Sequence, residues 1–240
     1  MSVIITVYTN EGIVMASDSR ISYTQTQHLK NETRVISGVY VADTTYKTYL
    51  CPNSAGISTC GDASVKGSPI AGHIERMLRE RIDCDTPVSD VPQIILDFFK
   101  VLDPNLNTIF HVAGYETIEG TAQPFFSIVR TAGGLVQNMI KPMDWGAAWD
   151  GETSVLSRLF NCASIRNPGA NATIPVDSLH IPFDYFTLQD AVDFATYAID
   201  TVIKTMKFCL MPDTVGYPID VLVIKPNDAV WISKKELRTV

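Results

Sequence analysis

The most constraining feature of this chain is its opening. Residues 2–9, SVIITVYT, form an apolar, β-branched run, Asn10-Glu11-Gly12 supplies turn chemistry, and a second apolar run then ends in MASDSR. Two such runs across so short a polar break predict a β-hairpin at the start of the chain. Strands usually end in turns, whereas this one ends in Asp18 and Arg20, each beside a serine. A charge placed there needs a partner.

Downstream, polar residues dominate 21–34, which reads as a loop, and strand-like composition returns at 37–42, 46–50 and 55–61. The period then changes. Ile70, Ile74, Met77, Leu78 and Ile82 recur at spacings of three and four, which predicts an amphipathic helix beginning near Asp62 or Ser64. A second helix is expected over 89–102 with Ser89 as its cap. Strands follow at 108–115, 124–131 and 135–141, with a tight turn at Ala132-Gly133-Gly134. A third helix should start at Asp150 or Gly151, and the clearest helix spans 187–208. Residues 219–224 and 229–232 close the chain as a hairpin. Segregated runs of strands and helices argue for α+β layering rather than a parallel βαβ sheet. No Gly-rich phosphate loop follows a strand, which disfavours nucleotide binding.

Composition narrows the functional classes. A chain of 240 residues with 46% hydrophobic and 19% charged residues is globular, and 1–240 reads as a single domain. No segment approaches the roughly 18 apolar residues of a membrane span, and no basic n-region precedes a secretory core, so a cytoplasmic, non-membrane protein is expected. The five cysteines lack CxxC spacing and the four histidines are dispersed, so no metal site is expected. A net charge of -7 disfavours nucleic acid and acidic membrane surfaces as partners.

The motifs coincide with those of a known family. SVIITVYTNEGIVMASDSR, YKTY followed by AGISTCGDAS, then FHVAGYE, FFSIVRTAGGL and PIDVLVIKP together resemble, over nearly the whole chain, the proteasome β-subunit family of N-terminal nucleophile (Ntn) hydrolases. The resemblance implies an α+β fold, a four-layer αββα sandwich of two antiparallel sheets flanked by helices. It also implies a homo-oligomer acting on peptide or protein substrates with no cofactor, and leaves open whether an ATPase partner exists.

Carried to the matching positions, the family mechanism makes Ser2 the nucleophile once Met1 is removed, with its own α-amine as base. Such an amine has an ordinary pKa of about 7.7 to 8.0, so a neutral base exists near neutral pH without histidine. Lys47 matches the active-site lysine, Asp18 its carboxylate partner, and Gly61 the residue whose N–H faces the acyl oxygen. Other readings stay open: Asp18 as a loop cap or a partner for Arg20, Lys47 as an exposed strand lysine with Lys30 its rival, Gly61 as a turn residue. Asp150 stands where the family has serine, and Asp213 is the nearest match to its late Asp-x-x-Ser-Gly pattern. The interval 21–46 is longer than in the family, an insertion expected over the cleft or a subunit contact. An acylated Ser2 nitrogen is an amide and no base. Retained Met1 therefore favours a noncatalytic scaffold or binding subunit, and acyl transfer to an amine, as in a ligase or transpeptidase, is a third reading.

Overall fold

The two opening runs form the predicted hairpin: β1 (Val3–Tyr8) and β2 (Ile13–Ser17) pair antiparallel, with Ile4 opposite Ser17 and Tyr8 opposite Ile13. The structure is a computed structural model that describes residues 2–29, 32–140, 144–161, 163–167, 172–176, 179–210 and 212–236. Met1 and Lys30, on which two of the expectations above turn, lie outside these residues.

After the hairpin come β3 (Ile21–Leu29), β4 (Glu32–Ala42), β5 (Thr48–Leu50), β6 (Gly56–Gly61), β7 (Ser64–Val65) and β8 (Ser68–Pro69). Next are the helices α1 (Ile70–Arg81) and α2 (Val91–Leu102), then β9 (Thr108–Ile118), β10 (Thr121–Arg130), β11 (Leu135–Asn138) and β12 (Gly146–Gly151). The chain continues through α3 (Ser154–Phe160), β13 (Ala163–Asn167), β14 (Ala172–Val176) and α4 (Leu188–Met206) to β15 (Asp220–Lys225) and β16 (Asp228–Ser233).

Two five-stranded antiparallel sheets carry the core, ordered β12-β1-β2-β15-β16 and β11-β10-β9-β6-β5. Side chains alternate across a strand, and the burial follows that period. In the first sheet Val3, Ile5, Val14, Ala16, Val221 and Val223 pack against Ala191, Ala195, Ile199 and Val202 of α4. The intervening Tyr8, Ile13, Met15, Leu222 and Ile224 meet Ala113, Phe126 and Ile128 of the second sheet. Ile57, Phe110, Val112 and Val129 cover the far face of the second sheet with Ile74, Met77, Ile95 and Phe99. β1 is thus apolar at nearly every position because both its faces are covered.

The expected four-layer αββα sandwich needs correction. Strand residues outnumber helical ones, there are five antiparallel sheets among the described residues, and three of these are two-stranded ribbons (β3-β4, β7-β8 and β13-β14). Helical cover is partial: β11 is exposed throughout and β16 along most of its length. The excess of strand has local causes. Residues 21–34, read as a loop, fall largely in the β3-β4 ribbon, because Thr and Tyr favour strand although the segment as a whole is polar. The first helix starts at Ile70 rather than 62–64, since Lys66 (φ 48°) and Gly67 (φ 81°) turn the chain between β7 and β8. Asp150 and Gly151 end strand β12 and do not begin a helix. Ser89 lies in a short 3-10 turn before α2 and caps nothing. Among the helices, α2 and α4 match their sequence readings closely, and Thr187 and Asp190 form a reciprocal capping box on α4.

Candidate active site

Asp18 follows β2 immediately and is fully buried. Its carboxylate takes four donors. Oδ1 accepts the Val3 N–H at 3.0 Å and Lys47 Nζ at 2.7 Å, and Oδ2 accepts the N–H groups of Arg20 at 3.0 Å and Gly216 at 3.1 Å. A buried carboxylate is tolerated only when paired and hydrogen-bonded, and this one is satisfied at both oxygens. It ties together the start of β1, the end of β2, the lysine before β5 and the segment before β15.

Lys47 also donates to the Arg20 carbonyl at 2.5 Å and is 4% exposed. Burial pushes its ammonium below the ordinary lysine value, and Asp18 opposes that push. Of the readings left open for Asp18, the lysine partner is realised. The Arg20 guanidinium is turned elsewhere, to Asp43 at 2.6 and 2.9 Å and to Asp213. Asp43 holds it above the ordinary arginine value. Arg20 thereby staples the two ends of the β3-β4 ribbon.

Ser2, one residue before β1, is 8% exposed. It lines a small pocket of about 30 Å³ together with Lys47, Thr59, Cys60 and Gly61, and an adjoining cleft of about 510 Å³ with Tyr23, Gly61, Asp62 and Lys66. The Thr59 hydroxyl is buried there without a hydrogen-bond partner among the described residues. Cys60 is inert as a nucleophile, its thiol pushed up to about 12 by burial. Gly61 has φ 119°, and a Cβ on it would lie 2.5 Å from the Asn107 carbonyl, so this position is closed to other residues whatever its chemical role.

The structure brings Ser2, Asp18, Lys47 and Gly61 together and leaves two other candidates apart. Asp213 is 65% exposed and pairs with Arg20. Asp150 faces the layer between the sheets, where it meets His111 Nε2 at 3.1 Å and Arg130 Nη1 at 3.2 Å. Burial of Asp150 works against ionisation, but His111 and Arg130 outweigh it and hold the carboxyl below its usual range. His111 is fully buried, its pKa pushed down by burial, and its Nδ1 bonds Thr6 Oγ1 at 2.9 Å. A neutral ring with Nε2–H donating to Asp150 and Nδ1 accepting from Thr6 satisfies every partner. The residues after Asp150 do reach Ser2: the Glu152 N–H donates to its carbonyl at 2.7 Å, and a Cβ on Gly151 would lie 1.8 Å from that oxygen. Sequence reasoning missed Gly151, Glu152, Gly216 and His111. The first three act through backbone groups, which carry no residue-type signal.

No protein-family model matches the chain, and no curated protein matches it. Solved structures do match, among them proteins called Anbu, one described as an ancestral beta-subunit. An Anbu (Gly-1) mutant from Hyphomicrobium sp. strain MC1 is 14% identical with a TM-score of 0.59, covering 97% of this chain and 87% of that one. Anbu from Yersinia bercovieri is 13% identical with a TM-score of 0.58, covering 98% and 88%. At such identities the likeness is one of fold alone. The resemblance to the proteasome β-subunit family is corrected accordingly: no family model supports membership, and the structural likeness is to Anbu proteins. Among the described residues no helix is long and apolar enough to cross a membrane.

Proposed function

We propose that this protein is an N-terminal nucleophile hydrolase that cleaves amide bonds through Ser2. The observation that carries the reading is the position of the buried Lys47–Asp18 pair. Asp18 Oδ1 accepts both the Lys47 ammonium and the Val3 N–H, so one carboxylate oxygen ties the cation to the residue that follows Ser2.

After removal of Met1, the Ser2 hydroxyl attacks a carbonyl carbon and gives its proton to the Ser2 amine. The Gly61 N–H is the candidate donor to the tetrahedral oxygen, a role whose loss costs on the order of 10²- to 10³-fold. Collapse expels the amine product, which takes the proton, and leaves an ester on Ser2. Water then attacks that ester and frees the acid. Lys47 stays charged throughout, lowering the proton affinity of the amine and stabilising negative charge at the hydroxyl oxygen. Amine-base catalysis of this kind contributes roughly 10²- to 10⁴-fold. The noncatalytic reading is favoured by a specific observation: Asp150 and Asp213, the two later catalytic candidates, are engaged with His111, Arg130 and Arg20 instead of Ser2.

Intact-mass measurement of protein from its native host, followed by labelling with a β-lactone, tests the proposal. The expected result is a chain lacking Met1 whose labelling is abolished by Ser2→Ala. Met1 retained throughout the cellular pool, or labelling that survives Ser2→Ala, overturns it.

A further inference from the structure

A second buried lysine–aspartate pair stands behind the first. Asp220 opens β15 in register with Ser17, the residue before Asp18. Its Oδ1 accepts the Lys235 N–H at 2.8 Å and its Oδ2 accepts Lys235 Nζ. Asp220 is fully buried and Lys235 is 9% exposed, although residue 235 lies beyond the last strand. A cation and an anion withdrawn from water this far carry a desolvation cost that an ordinary surface position avoids. The nearest structure that this arrangement organises is the site.

Lys235 grips the residue that precedes Lys47. The Tyr46 hydroxyl donates to the Lys235 carbonyl at 3.1 Å, and Lys235 Nζ lies 4.7 Å from the Tyr46 ring centroid. Lys234 Nζ lies 5.8 Å from the same ring and 4.8 Å from that of Trp231. Tyr46 therefore has its hydroxyl and its face held by one short segment after β16, while it also lines the small pocket beside Ser2. The charges interact as well: Lys235 pushes Lys47 in the same direction as burial does, against Asp18. Asp18 in turn favours the charged form of Lys235.

We propose that Lys235, anchored by Asp220, is a positioning residue for Lys47, fixing through Tyr46 the segment that carries Lys47 and placing a second cation behind it. This inference rests on the proposed role of Lys47 beside Ser2. The paired variant Lys235→Met with Asp220→Asn removes both charges and leaves neither buried alone. Titration of 15Nζ-labelled lysines by NMR, with Lys47→Arg to assign the signal, reads Lys47 without any turnover.

In the paired variant Lys47 is expected to titrate at higher pH, because of the two charges removed the Lys235 cation acts on Lys47 more strongly than the Asp220 anion does. The pH profile of β-lactone labelling should move the same way, and labelling at pH 7 should fall about 10-fold through misplacement of Lys47. Lys235→Arg should restore both. A folded paired variant whose Lys47 titration and labelling profile match wild type overturns the proposal. If the paired variant does not fold, Tyr46→Phe carries the test: it deletes the hydroxyl bond and keeps the ring and all four charges. A displaced Lys47 signal supports the inference, and an unchanged one overturns it. A Lys47 signal that moves in a protein never labelled at Ser2 would instead sink the hydrolase reading and leave the positioning intact.

Discussion

Asp18 does more than hold a lysine. From sequence, Asp18→Asn is expected to depress activity and leave the fold largely intact, but the four donors on its carboxylate argue otherwise. An amide cannot accept at its nitrogen, so at least one buried donor is orphaned and Lys47 loses its counter-charge. Breaking a buried pair in this way costs about 3–5 kcal/mol. We expect Asp18→Asn to lower the urea midpoint by a corresponding amount as well as abolish β-lactone labelling; wild-type stability would show the carboxylate to be dispensable for folding. Gly151→Ala tests a different contact. At φ 97° an L side chain is strained by about 1–3 kcal/mol, and here the added Cβ also strikes the Ser2 carbonyl. Loss of labelling is expected together with reduced stability, and an active variant would mean that the Glu152 clamp on Ser2 is not needed.

Between elements, the polar chain Thr6–His111–Asp150–Arg130 links β1 and β12 of one sheet to β9 and β10 of the other. It has a pH signature. Burial lowers the His111 pKa in the folded protein, whereas an unfolded histidine titrates near 6.5. Between those two values the unfolded chain binds the extra proton, so stability is full above about pH 6.5 and falls as pH drops below it. The limiting slope is about 1.4 kcal/mol per pH unit for one proton. The urea midpoint should therefore fall less in His111→Gln than in wild type when the pH is lowered from about 7.5 to about 5.5. Equal losses in both proteins would exclude His111 as the source. Elements themselves were unevenly legible. Helix α4 was clear because a 3.6-residue stripe, a cap and sufficient length coincide in 187–208. The β3-β4 ribbon reads mostly as loop because its sequence is polar and shows no clear apolar/polar alternation, and β12 escapes sequence reasoning because small residues and glycines carry little strand propensity.

In the whole molecule, the two large sheets share an apolar layer and polar links, through Thr6–His111–Asp150–Arg130 and through Ser17–Thr48, so neither should melt without the other. Near- and far-UV circular dichroism are expected to report one coincident thermal transition, and two separated transitions would divide the chain into independently folding parts. At this scale the sequence alone was enough to determine the opening and closing hairpins, α4, and the choice of Asp18, Lys47, Ser2 and Gly61 as residues to inspect. The elements rest on local patterning and Asp18 on a charge whose burial demands a partner, whereas Ser2, Lys47 and Gly61 were marked only by the family resemblance. Tertiary structure selected Lys47 among the partners left open for Asp18, and alone decided the others: Asp43 and Asp213 for Arg20, His111 and Arg130 for Asp150, Lys235 for Asp220. These pairings join residues from 15 to nearly 200 positions apart and depend on strand register and backbone N–H groups, neither of which any one side chain encodes.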